Sequence, residues 1–137
     1  MDKPQIAGSI SRTPMIVQIL DKGVAPSELI RHLSPSCVRM ILNCLPLQDR
    51  IHKYSDSIVY IETRLVIGAE KQRTQFMRGD IAYMTSNSSI CIFTKDTVMT
   101  PMNPIGIVKS NLEIIESTQS GDIMILKKNV NTQKNNR

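Results

Sequence analysis

Apolar residues along this chain fall into short runs that are separated by polar turn residues. The first run, MIVQIL (Met15–Leu20), ends at the turn residues Asp21–Gly23. Later runs are SIVYIET (Ser57–Thr63), GDIAYM (Gly79–Met84) and ICIF (Ile90–Phe93). Short runs rich in Ile, Val and Tyr are typical of strands, and the polar turn between the last two runs predicts a β-hairpin.

The last third of the chain continues the same pattern. It predicts three further short strands: PIGIV (Pro104–Val108), NLEII (Asn111–Ile115) and GDIMIL (Gly121–Leu126). A proline-containing loop is expected before the first of them, because proline cannot donate to a sheet. Gly106, inside that strand, is a candidate for a β-bulge.

One segment is predicted to be a helix, at about residues 35–45. Ser34 is a typical N-cap, and Pro35 suits the first helical position, where a missing N–H costs nothing. Pro46 ends the segment. The preceding ELIRHL (Glu28–Leu33) fits either a helix or the second strand of a hairpin. The helix is supported by one apolar face, made of Cys37, Met40, Ile41, Cys44 and Leu45.

About six or seven short strands with one helix predict a mainly β fold, a small closed β-barrel. Closure removes the exposed strand edges that would otherwise aggregate. The chain of 137 residues fits one domain. We expect a flexible N-terminal lead (1–13), one folded domain (14–128) and a disordered basic tail (129–137).

Composition narrows the chemistry of the core. The chain has no Trp, two Phe, three Tyr and eight Met, so its core is expected to be mostly aliphatic with methionine. Methionine fills irregular gaps in cores and also lines adaptable binding surfaces. The three cysteines form no CxxC pair, which favours free thiols in a reducing compartment. Without a signal peptide or a membrane-spanning apolar run, a cytoplasmic location is expected.

The net charge of +5 first suggests a nucleic-acid partner. However, Lys127, Lys128, Lys134 and Arg137 account for +4 of it, and all four lie in the last eleven residues. The folded body is therefore nearly neutral. It also contains few aromatic residues for stacking on bases. Nucleic acid is thus not an expected partner of the domain.

Metal and cofactor sites are not indicated. His32 and His52 have no cysteine or carboxylate at ligand spacing, and no glycine-rich phosphate loop occurs. We therefore expect neither a bound metal nor a cofactor.

Several of these segments, in their order along the chain, carry a family resemblance. A hairpin is followed by Ser34-Pro35 opening the helix, then by IVYIET, GDIAYM and the CIF strand, and finally by Asn103-Pro104-Ile105-Gly106 and a closing Gly-Asp strand. From Met15 to about Lys128 the chain resembles the minimal prokaryotic cyclophilin-like family. The resemblance implies a cyclophilin-like barrel, a fold shared with peptidyl-prolyl isomerases. A fold alone does not establish an activity.

An isomerase needs an apolar site for the proline ring and a donor that stabilises the twisted amide. The cyclophilin signature, a Phe-His-Arg strand leading to Gln-Gly-Gly-Asp, is absent from this chain. Arg64, just after the strand at 57–63, is the predicted catalytic donor. The predicted ligand-binding residues are Tyr60, Met84, Phe93 and Asn103.

The leading functional expectation is a cyclophilin-like binding domain with an apolar cleft for a peptide or small molecule. The alternative is a weak peptidyl-prolyl cis-trans isomerase. The expected partners are this ligand and, through exposed Met or Ile residues, a second copy of the chain.

Overall fold

The computed structural model describes residues 11–129 of the chain. Residues 1–10 and 130–137, which make up most of the predicted lead and tail, lie outside the described residues. The first strand begins at Arg12, before the predicted start of the domain.

Ten antiparallel strands dominate the described part of the chain. Nine of them form one path of hydrogen-bonded neighbours, in the order β3-β10-β1-β2-β9-β7-β8-β5-β4, and β6 pairs with β9 outside this path. The strands are β1 (Arg12–Ile19), β2 (Gly23–Ile30), β3 (Leu47–Arg50), β4 (His52–Tyr54), β5 (Ile58–Glu62), β6 (Arg73–Phe76), β7 (Asp80–Met84), β8 (Ser89–Phe93), β9 (Thr97–Val108) and β10 (Ile123–Lys128).

The two ends of this path are consecutive in the chain. β3 ends at Arg50 and β4 begins at His52, so Ile51 alone connects them. No hydrogen-bonded pairing among the described strands joins β3 to β4 or β5. The mainly β architecture is therefore confirmed, whereas the predicted closure of the barrel is not.

The main helix is confirmed. α1 spans Pro35–Cys44 and buries Cys37, Val38, Ile41 and Leu42. The ambiguous segment at 28–33 completes β2 up to Ile30 and then forms a 3-10 turn. Among residues 11–129 no helix is long and apolar enough to cross a membrane.

NLEII was predicted as a strand but forms the short helix α2 (Leu112–Glu116). Leu112 and Ile115 are both buried, and their spacing of three residues places them on one helical face. The helix follows Asn111, which has a left-handed backbone (φ 62°) that ends the extended conformation.

The predicted proline-containing loop before residue 104 is instead part of β9, which runs without interruption for 12 residues. The prolines are tolerated because β9 changes partner and register along its length. In its pairing with β7, β9 has one extra residue, Ile105, because Pro104 lies opposite Ala82 and Gly106 lies opposite Ile81. A bulge there needs no regular ladder hydrogen bond from the proline.

Gly106 lies beside this bulge, where β9 also approaches β2 very closely. A Cβ atom at position 106 would lie 2.1 Å from the backbone oxygen of Glu28 and 3.1 Å from the Cα of Leu29. Glycine is therefore required here by the close approach of the two backbones.

A partly buried polar cluster joins α1, β9 and the irregular segment 63–72. The Glu70 carboxylate accepts hydrogen bonds from the backbone N–H groups of Ser36 (3.1 Å) and Cys37 (2.9 Å) at the start of α1. The predicted cap Ser34 makes no capping bond, and its hydroxyl donates to the Pro104 carbonyl at 2.8 Å. A carboxylate from a distant segment thus caps the helix and complements its dipole.

The three cysteines are free thiols, as predicted. Burial is the main cause that raises the pKa of Cys37 to about 11 and that of Cys91 to about 12. For Cys37 a hydrogen bond with Asn103 opposes the shift, and the nearby Glu70 charge adds to it. Cys44, at the end of α1, is exposed.

Gly106→Ala should destabilise the protein by roughly 1–3 kcal/mol, because the added methyl group forces the β2 and β9 backbones apart. Urea unfolding measures this change. Gly68→Ala is the matched control, since a Cβ there meets no atom within 4 Å. Equal stability of the two variants would contradict the close approach.

Alkylation of the folded protein with iodoacetamide near pH 8 should add one group, at Cys44, because thiolate is the reactive form. The buried, high-pKa thiols of Cys37 and Cys91 should react only after denaturation, bringing the total to three. Intact-mass spectrometry counts the groups. Rapid labelling of all three thiols in the native state would show that the core opens readily.

Candidate functional site

The strands β5, β7 and β8 bury side chains on both of their faces. Val59 and Ile61 point into the larger core, which also contains the buried face of α1. Alternate residues on the same strands point the other way, because side chains alternate along a strand. They form a second buried group, here called the Phe76–Phe93 cluster, whose members are Ile58, Phe76, Ala82, Cys91, Phe93 and Met102.

A two-stranded ribbon covers the Phe76–Phe93 cluster. β9 pairs with β7 only from Asn103 to Ile107, so its first half is free to pair with β6. Phe76 of β6 stacks on Phe93 of β8, with ring centroids 4.6 Å apart and an interplanar angle of 7°. The ribbon is therefore held to the sheet by an aromatic contact.

Beside the ribbon lies a pocket of about 250 Å³, here called the Tyr–Met pocket. Tyr60 and Met84, two of the predicted ligand-binding residues, both line it. The His52 ring stacks on Tyr60 at 5.2 Å and fixes one wall. The complete lining is Tyr54, Ile58, Tyr60, Met84, Asn87, Cys91 and Met99.

The other two predicted ligand-binding residues do not line the Tyr–Met pocket. Phe93 is fully buried in the Phe76–Phe93 cluster, next to the pocket residue Ile58 on the neighbouring strand. Asn103 is also fully buried, and its side chain holds the segment 63–72 in place. Its oxygen accepts from the Glu70 N–H at 2.9 Å, and its amide donates to the Gly68 carbonyl at 3.0 Å.

Arg64, the predicted catalytic donor, lies in a different pocket of about 570 Å³. This pocket is lined by residues of β3, of the end of β5 and of the segment that follows β5, and none of these residues is aromatic. Its lining is Cys44, Leu47, Gln48, Asp49, Glu62, Thr63, Arg64 and Leu65. The structure therefore does not bring Arg64 together with Tyr60, Met84 or Phe93.

A second arginine, absent from the predicted site, lies beside an aromatic ring. The guanidinium carbon of Arg73 is 5.3 Å from the centre of the Phe76 ring. Its Nη2 atom is 3.3 Å from the Asp80 carboxylate, which also accepts from the Met77 N–H at 2.8 Å. These contacts hold the arginine in one orientation while leaving its side chain 46% exposed.

Arg73 and Phe76 belong to a groove of about 510 Å³, here called the Arg73 groove. Its lining is Arg73, Gln75, Phe76, Met77, Asp80, Asp96, Thr97 and Val98. Residues three apart in a regular strand point to opposite faces. A register shift between Arg73 and Gln75 breaks this alternation, so the sequence pattern did not reveal the pairing. The feature of the sequence that could have indicated this site is Arg73, which lies shortly before Phe76-Met77 and Gly79-Asp80.

No group of three or more His, Cys, Asp or Glu residues within 11–129 is arranged to hold a metal ion. The side chains of the two sites provide aromatic and thioether contacts in the pocket, and a guanidinium group over an aromatic ring in the groove.

Comparison of the fold with solved structures identifies similar proteins. The hypothetical protein AF2241 from Archaeoglobus fulgidus superposes with a TM-score of 0.73 at 20% identity, over 87% of this chain and 96% of that one. McbB in complex with tryptophan gives a TM-score of 0.67 at 15% identity, over 85% of this chain and 45% of McbB. At these identities the likeness shows the fold alone.

A search of the curated proteins gives no match. In contrast, the family model described as Cyclophilin-like matches residues 14–127, which is most of the chain and nearly the whole of the described structure. This protein therefore belongs to the cyclophilin-like family.

Proposed function

We propose that this protein is a binding domain that holds the flat apolar group of a peptide or small molecule in the Tyr–Met pocket. The observation that carries the proposal is the convergence of Tyr54, Tyr60, Met84 and Met99 on one small pocket. Aromatic rings stack favourably on one another, and methionine sulfur makes favourable contacts with ring edges. A ligand that carries an aromatic ring matches both kinds of wall.

The setting of the pocket supports the same proposal. Tyr54 is 58% exposed, so one wall is open to solvent, whereas Cys91 and Ile58 form a fully buried floor. Asn87 contributes the only side-chain amide of the pocket lining. Ligand sites commonly combine an apolar lining with a few polar groups that orient the ligand. McbB, which has the same fold, forms a complex with tryptophan, so a ring-bearing ligand is a reasonable first probe.

The second candidate is peptidyl-prolyl isomerisation in the Arg73 groove. Rotation about an X-Pro bond has a barrier of about 18–20 kcal/mol, because the amide has double-bond character. In the twisted state the proline nitrogen becomes a better acceptor, and a fixed N–H donor stabilises it. Arg73 offers such donors beside Phe76 and Met77, which supply an apolar surface for the ring.

Tryptophan should bind the wild-type protein, and Met99→Lys should weaken this binding about tenfold or more, because a cation enters the apolar pocket. Since the chain has no Trp, indole fluorescence reports the ligand alone. Tyr54→Ala should weaken binding in the same direction by removing a ring wall. Val66→Lys, at an 87% exposed residue outside the pocket, is the matched control. Binding that is unchanged in Met99→Lys and Tyr54→Ala would refute the assignment.

Arg73→Ala should lower proline isomerisation of a short peptide by about 100-fold, the usual effect of removing a transition-state donor. Arg64→Ala tests the earlier prediction in the same assay and should leave the rate within about twofold. If Arg64→Ala alone abolishes the activity, the donor is Arg64. A wild-type rate no higher than background would refute isomerisation as a function of this groove.

A further inference from the structure

We propose that the Arg73 groove and the Tyr–Met pocket are two parts of one peptide-binding surface. Its ligand is a peptide segment that places an aromatic side chain in the Tyr–Met pocket and a basic side chain beside Asp96 in the Arg73 groove. This inference rests on the proposed function of the Tyr–Met pocket and extends it to a class of ligand.

The two sites flank the buried Phe76–Phe93 cluster and the ribbon that covers it. Phe76 lines the groove, its ring lies 4.6 Å from that of Phe93, and Phe93 pairs with the pocket residue Ile58 on the adjacent strand. Neighbouring strands are about 4.8 Å apart, so the groove and pocket walls are on the order of 10 Å apart. An extended segment of about five residue steps, roughly 17 Å long, crosses over the ribbon from one site to the other.

Exposed apolar side chains mark the same surface. Met77 (65% exposed) and Val98 (73%) line the groove, and Tyr54 lines the pocket. These are three of the seven large apolar side chains that the described part of the chain exposes. Apolar groups concentrated beside two concave sites are typical of a surface that a partner covers.

The charges of the groove indicate what such a partner carries. Arg73 is paired with Asp80, so these two charges compensate each other. Asp96 also lines the groove, where one carboxylate oxygen accepts the Arg78 N–H at 2.8 Å. Among residues 11–129 no basic side chain forms a salt bridge with Asp96. The groove thus has one uncompensated negative charge, which complements a lysine or arginine of the ligand.

The basic residues next to the groove do not compensate the negative charge of Asp96. Lys95 pairs with Asp56, and Arg78 is 2.9 Å from Glu116, a contact that raises the pKa of its guanidinium. Both basic residues next to the groove are therefore directed away from Asp96. A basic residue of the ligand can therefore form an ion pair with the Asp96 carboxylate.

Three peptides of equal length test the proposal on the full chain. The parent peptide is Trp-Ser-Gly-Ser-Pro-Lys, the second has Ala in place of Trp, and the third has Glu in place of Lys. The parent should bind about tenfold or more tightly than the Ala peptide, because linked contacts reinforce each other. It should bind about two- to fivefold more tightly than the Glu peptide, the range for an exposed ion pair.

Two variants assign these differences to the two sites. Asp96→Asn should remove the preference for Lys over Glu while keeping the preference for Trp. Met99→Lys should remove the preference for Trp while keeping that for Lys. Val66→Lys should keep both, and equal thermal unfolding of the variants controls for folding. Isothermal titration calorimetry gives affinities and should show one peptide per protein.

Two peptides bound per protein, or a Lys preference that persists in Asp96→Asn, would overturn the joint surface. Binding of free tryptophan together with equal affinities for all three peptides would also overturn it, while leaving the Tyr–Met pocket as a small-molecule site. Failure of both tryptophan and the peptides to bind would reject the proposed function as well.

Discussion

Burial of both faces of β5, β7 and β8 is the constraint on which the rest of this structure depends. One face of each strand faces the core shared with α1, and the other carries the Phe76–Phe93 cluster. Apolar surface on the second face needs a cover, and each buried aromatic side chain there contributes about 1.5–3 kcal/mol. The ribbon of β6 and the first half of β9 provides this cover through the Phe76–Phe93 stack. The ribbon is short, so concave sites are present at both of its edges. The Tyr–Met pocket lies at one edge and the Arg73 groove at the other.

The ribbon in turn depends on how β9 is anchored. β9 is held to β2 by the close approach at Gly106 and to β7 by a bulged pairing. Asn103, at the point where β9 leaves β7, ties the strand to the segment 63–72, and Glu70 of that segment caps α1. Buried polar groups are costly unless they are hydrogen-bonded, so this cluster favours one arrangement of helix, segment and strand. Asn103 therefore supports the candidate site by holding β9 and the segment 63–72 together, and it does not line the pocket.

Sequence reasoning predicted the parts of the fold whose signal is local. α1 has a start signal, a stop signal and one apolar face, and the Ile- and Val-rich runs around Val59, Ala82 and Ile92 are indeed strands. β3, β4 and β6 were missed because they are short and largely polar. They are extended because they pair with neighbouring strands, which the local sequence does not reveal. β9 was predicted as a loop followed by a short strand because it contains two prolines, Pro101 and Pro104. For the site, strand alternation was sufficient to bring Tyr60 and Met84 to one pocket, whereas Arg73 reaches Phe76 only through a register shift that no periodicity reveals.

Methionine methyl groups provide the most direct test of ligand binding in the Tyr–Met pocket, beside the Phe76–Phe93 cluster. Met84 and Met99 line the Tyr–Met pocket, whereas Met15 and Met124 are buried in the larger core. In a protein labelled with carbon-13 at the methionine methyl groups, NMR titration with tryptophan should shift the Met84 and Met99 signals through the ring current of the ligand. The Met15 and Met124 signals should stay in place. Shifts at Met15 or Met124 with Met84 and Met99 unchanged would contradict the account.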